Sequence, residues 1–185
     1  MYIVSIARGE EILITIFNCA LGILVVWIMY DDYRRDRISN QAILSGLLLG
    51  LSRAVYQHGI RGILFSLSGM IIPFLLLIVF YIFHMIGAGD IKFFMMIGTF
   101  TGSEDIMGLM WTAFLIGAVC ALFKMLVHKT VAIRFFYLWN YVCSTIRTGK
   151  IEPYYRKEEL ESKNRIHFAI PIGLSVFLWM GGMPG

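Results

Sequence analysis

The feature that most constrains this chain is a succession of apolar runs, several of them near the length a helix needs to cross a bilayer, separated by short polar turns. A helical span takes roughly 20 apolar residues. The first clear run is Ile12 to Tyr30, broken only by Thr15 and Asn18. A second, short and rich in small residues, covers Ala42 to Tyr56, with Arg53 near its far end able to snorkel. The third, Gly62 to Ile86, carries Pro73, a kink that a membrane helix tolerates. A brief fourth run, Ile91 to Thr101, is followed by a turn at Gly102 to Asp105, a fifth run from Ile106 to Val127, and a sixth from Phe168 to Met183. The pattern predicts an all-α polytopic membrane protein of about six transmembrane helices, read as one membrane-embedded domain over residues 1–185.

Composition agrees. Hydrophobic residues make up 58% and charged residues 15% of the chain, whereas a soluble domain is about half apolar and a quarter charged. The net charge of +4 implies no nucleic-acid partner, because the basic residues lie between the apolar runs and report orientation instead. Cys19, Cys120 and Cys143 form no CxxC pair, so no disulfide framework, metal site or cofactor is expected. The start of the chain lacks a basic stretch followed by a small-residue cleavage site, which predicts a retained span.

Between the fifth and sixth runs, residues 128–167 form the longest polar interruption. Thr130 to Ile146 reads as an interfacial helix or an extension of the fifth run, and Lys150 to Arg165 as a solvated loop. With six alternating spans, the first polar turn, the Gly-rich turn and this long segment share one side. That side holds Arg34, Arg35, Arg37, Lys92 and most other basic residues, leaving Arg8, Arg53 and Arg61 opposite. The positive-inside rule makes the basic side cytoplasmic, with both termini outside.

Two acidic residues stand apart from the rest. Asp32 ends the first run and Asp90 precedes the fourth. Two intervening spans return Asp90 to the same side and nearly the same depth as Asp32. Amide hydrolysis needs a base for the attacking water and an acid for the leaving nitrogen. Two carboxylates sharing one proton provide both. Gly87 and Gly89, flanking Ala88 before Asp90, offer free dihedrals and a close approach for an extended peptide. Each piece has a plainer reading: the Gly-Ala-Gly-Asp stretch as an interhelical turn, and Asp31, Asp32 and Asp36 as loop charges paired with neighbouring arginines. The combination of two boundary carboxylates, matching parity and the glycine turn favours a protease.

The residues then reach a known pattern. The stretch Asp32-Tyr33-Arg34-Arg35-Asp36-Arg37-Ile38-Ser39-Asn40, followed later by Gly87-Ala88-Gly89-Asp90-Ile91-Lys92, resembles the prepilin peptidases of the GxGD aspartyl protease family. These carry an aspartate followed six residues on by Ile-Pro-Asn, then a Gly-x-Gly-Asp with a basic residue behind it. The closing Phe168-Ala169-Ile170-Pro171-Ile172-Gly173 is similar to that family's Pro-bearing last helix. The resemblance implies Asp32 and Asp90 as catalytic residues at the cytoplasmic face of the inner membrane. It gives Ile38, Asn40, Gly87, Gly89 and Lys92 as motif or substrate-positioning residues. It also implies type IV pilin-like precursors as partners, with a short basic leader, a glycine before the cut and an apolar helix held in the lipid bilayer.

Two departures from the pattern matter. Ser39 stands where the family has proline, and Asp31 competes with Asp32 for the first catalytic position. The chain looks like the short form found with tight-adherence pili, without the paired cysteines of the members that also methylate pilin. Tyr30-Asp31 is similar to a presenilin-like motif, though no Pro-Ala-Leu precedes the last run; a preflagellin peptidase is a further relative in kind. The alternative from another class is a non-catalytic assembly or transport subunit whose carboxylates bind protons or cations. Asn18 reads as interhelical glue and His84 as an interfacial residue. Lys92 either tunes a carboxylate or anchors its helix, and the four tryptophans fit packing or interfacial positions.

Overall fold

The computed structural model describes residues 2–83, 85–127 and 167–182. These form five helices: α1 (Tyr2–Arg35), α2 (Asn40–His58), α3 (Arg61–Ile82), α4 (Ala88–Val127) and α5 (Ala169–Met180). The all-α expectation holds. The chain divides into two compact units, residues 1–116 with 167–185, and residues 117–166. Of the second unit the described part is the last stretch of α4. The expected interfacial helix and loop at 128–167 lie outside the described residues except for His167, as does His84.

Three helical stretches, Glu11–Arg35, Arg61–Ile82 and Ala88–Lys124, are long and apolar enough to cross a membrane. The chain is therefore a membrane protein by its helices, but the described residues do not show six separate spans. The fourth and fifth apolar runs form the single element α4, interrupted only at Gly102 (φ 73°, ψ −173°). Helix α2 carries Gln41, Ser45, Ser52, Arg53 and Gln57 along its 19 residues, and α5 has only 12. At its other end α1 runs past Tyr30 to Arg35, so Asp31 and Asp32 belong to its last turns instead of a loop. Arg34 and Arg35 at that C-terminus complement the helix dipole.

Each helix turns one apolar face inward and leaves another uncovered. Leu21, Val25 and Ile28, at helical spacing on α1, are fully buried against Phe93, Phe94 and Ile97 of α4 and Ala169, Ile172 and Val176 of α5 in one core. On the opposite side of α1, Ile23, Val26 and Trp27 are exposed, as are Leu64, Leu75 and Ile82 of α3. A helix apolar on both faces suits lipid outside and protein inside.

Without a hydrophobic drive between helices in lipid, close backbone packing through small residues carries the assembly. Helices α3 and α4 cross at Gly69 and Gly98, where a Cβ on either would strike the other's backbone carbonyl. Gly46 and Gly50 of α2 lie under Met96, Thr99 and Phe100 of α4, and Gly173 of α5 lies under Met29 of α1.

The break at Gly102 leaves the last carbonyls of the preceding helical half without their usual partners. Neighbouring helices supply donors. Ser66 Oγ of α3 donates to the Thr99 carbonyl at 2.9 Å, and Arg53 Nη1 of α2 donates to the Phe100 carbonyl at 3.1 Å. The Thr101 hydroxyl reaches back to Ile97 O at 3.3 Å. Interrupted helices persist in membranes where such donors re-satisfy the freed groups. Arg53, which the sequence reads as able to snorkel, thus also caps a broken helix.

Candidate active site

The two motif segments meet at one end of the larger unit. After α1 ends, Asp36 takes a left-handed φ of 52° and its amide closes on the Asp32 carbonyl at 3.0 Å. The chain then passes Ile38 and enters α2 through Ser39, whose backbone is extended. On the other side, Gly87 opens a tight turn. The amides of Asp90 and Ile91 both bond to Gly87 O, at 3.1 and 3.4 Å, and Asp90 occupies the first turn of α4. The helix N-terminus favours an anion there.

Four of the motif residues tie these segments together. Gly89 lies against Ile38: a Cβ on Gly89 would stand 3.3 Å from Ile38 Cδ1 and 3.4 Å from Ile38 Cβ. Lys92 Nζ donates to Asn40 Oδ1 at 3.0 Å. Gly87 faces the second aspartate itself, with its missing Cβ only 3.2 Å from Asp90 Oδ2. Gly87 and Gly89 are not among the glycines of positive φ. Close approach, and not an unusual dihedral, is therefore what these positions require.

The lysine bond yields a prediction. Lys92→Met or Asn40→Ala should each cost about 0.5–1.5 kcal/mol, read as a lowered unfolding midpoint in detergent. The double variant should lose little more than either single one, the signature of one shared contact.

Asp32 and Asp90 are both half-buried, and the Asp32 carboxylate is close enough to act electrostatically on Asp90. Asp31, its neighbour in sequence, points elsewhere. It is 5% exposed and stands 3.7 Å from Arg35 Nε, one turn further along the helix. The two adjacent aspartates, which compete for one role in the sequence, are thus separated by the helical rotation between them.

A residue that sequence reasoning passed over also stands here. His167, just ahead of α5, brings Nδ1 to 3.7 Å from Asp32 Oδ2 and 3.6 Å from Asp36 Oδ1. Its ring meets the Tyr33 ring edge-on at 5.5 Å. No local signal in the chain could have marked it, because the approach depends on how α5 packs along α1. Among the described residues, no group of three or more His, Cys, Asp or Glu side chains stands close enough to hold a metal ion.

Ser39 occupies the place where the resembled motif has proline, and the backbone explains the tolerance. Ser39 has φ −65°, ψ 122°, and its side chain makes no capping bond. That φ is the value a proline ring imposes. Ser39→Pro is therefore expected to raise stability by about 0.4–1 kcal/mol, visible as a higher unfolding midpoint. A fall would show that the Ser39 amide does unrecognised work.

Long apolar helices with outward apolar faces, and two half-buried carboxylates near the joined motif segments, define a helical membrane protein. The model of the type IV leader peptidase family matches residues 19–122, more than half of the 185 residues and both motif segments. The chain belongs to this family of aspartic-type prepilin peptidases. No curated protein and no solved structure matches it.

Proposed function

We propose that the chain is a prepilin leader peptidase that cuts type IV pilin-like precursors after a short basic leader, with Asp32 and Asp90 as its catalytic pair. The observation that supports this most is the joining of the two motif segments by the Gly89–Ile38 and Lys92–Asn40 contacts, which leaves Asp32 near enough to act electrostatically on Asp90. Two like charges at close range favour one shared proton. The ionised carboxylate takes a proton from water as the water attacks the scissile carbonyl. The protonated partner gives its proton to the departing nitrogen.

In this reading residues 1–185 act as one membrane-embedded peptidase domain in the cytoplasmic membrane. The chain crosses six times, the two halves of α4 on either side of Gly102 each counting as a pass and α2 and α5 completing the set. Both termini face outward. The Arg34–Arg37 turn, the Gly-rich turn and the 128–167 segment face the cytoplasm, where the excess of Lys and Arg belongs. The precursor's apolar helix stays in lipid while its leader and the glycine before the cut enter beside Gly87 and Gly89.

The test is co-expression with a pilin-like precursor, following the leader's removal on a gel. Wild type should process the precursor, and Asp32→Asn and Asp90→Asn should leave it intact. Processing that survives both substitutions would sink the dyad, and no processing by wild type would favour a non-catalytic assembly subunit.

A further inference from the structure

We infer that His167 is a positioning residue of this site, its imidazolium serving as the counter-charge that holds the Asp32 carboxylate in place. The inference rests on the peptidase reading above and adds to it a residue from the far end of the chain. Asp32 and Asp36 are one turn apart, so their charges repel across the end of α1. His167 Nδ1 stands between them, 3.7 Å from Asp32 Oδ2 and 3.6 Å from Asp36 Oδ1.

At those separations the contacts are too long for hydrogen bonds, so the role inferred for the imidazole is that of a charge set beside two carboxylates and not of a directed proton donor. Among the described residues, the groups it meets are Asp32, Asp36 and the Tyr33 ring of α1, and Asp32 in turn acts electrostatically on Asp90 of α4. Arg35 is engaged with Asp31.

The ring is also well fixed. Its side chain is 24% exposed, its ring lies at a 60° interplanar angle to that of Tyr33, and its carbonyl accepts the amide of Ile170 at the start of α5. A cation so held places Asp32 for water activation while leaving Asp90 to carry the shared proton. The last helix thereby takes part in the site without supplying a group that touches substrate.

The experiment compares His167→Asn, which keeps a polar atom near the Nδ1 position but no charge, with His167→Lys, which restores a cation. Purified full-length protein in liposomes is assayed on a pilin-like precursor. Asparagine should lower kcat on the order of tenfold with KM unchanged, and lysine should stay within about threefold of wild type.

Equal losses in both variants, wild-type turnover with asparagine, or a change confined to KM would overturn the inference. If asparagine prevents folding, judged by the unfolding midpoint in detergent, the lysine variant decides alone: folded and active upholds the role, folded and inactive rejects it. Failure of the peptidase reading itself looks different, because wild type would then not cleave, or Asp32→Asn would.

Discussion

Asparagine in place of Asp90 is expected to reduce precursor cleavage by on the order of 10²–10⁴-fold, and Asp32→Asn to do the same. The substitution is nearly isosteric. At position 90 it keeps the first turn of α4 and the amide bond to Gly87 O, so what it removes is a titratable oxygen and little packing. In the proposed mechanism each carboxyl serves one half of a single proton cycle, so the losses should not add: the double variant should resemble either single one. Asp31→Asn is the informative contrast. Its carboxylate is buried and stands 3.7 Å from Arg35 Nε; asparagine keeps its shape, and the variant should process precursor close to the wild-type rate. Timed gel assays on the three single variants decide the matter. Full activity in Asp32→Asn together with loss in Asp31→Asn would transfer the first catalytic position to its neighbour.

Much of this arrangement is readable from the chain because membrane helices announce themselves by length and hydropathy. The parity argument that brings Asp32 and Asp90 to one side needs only the order of apolar runs. The grouping of Ile38, Asn40, Gly89 and Lys92 is what the family resemblance implies, although the sequence gives no sign that Gly89 packs on Ile38 or that Lys92 bonds Asn40. Three features were out of reach for physical reasons. The join of the fourth and fifth runs through Gly102 depends on donors from Ser66 and Arg53 on other helices, and no local propensity encodes that. The choice between Asp31 and Asp32 turns on a rotation of about 100° between consecutive helical residues, which matters only once the neighbours of α1 are in place. His167 reaches Asp32 across 135 positions of chain, a contact of pure topology.

The largest effect on stability is expected at the crossing of α3 and α4. A Cβ at Gly69 would meet the carbonyl of Gly98 with the backbone of Gly102 close behind, and a Cβ at Gly98 would meet the carbonyl of Gly69. Both obstacles are main chain, so no rotamer change relieves them, and the helices must separate. Alanine at either position should cost about 1–3 kcal/mol, and leucine should abolish the folded state, measured as unfolding midpoint and monodisperse yield in detergent. Gly46 is different in kind, because its Cβ would press on the side chain of Met96, a flexible group that can repack. Gly22 has only ordinary contacts, 3.8 Å from the Phe177 ring, and Gly22→Ala should be close to neutral. On the proposed mechanism the crossing also bears on chemistry, since the half of α4 that carries Asp90 is the half seated on α3. A shift of about 1 Å in a reacting group can cost on the order of 10²-fold in rate. Gly98→Ala should therefore lose cleavage beyond what its remaining folded fraction explains. Leucine variants with wild-type midpoints would mean that α3 and α4 do not approach so closely, and the seat of Asp90 would then have to be sought in its contacts with α1 and α2 alone.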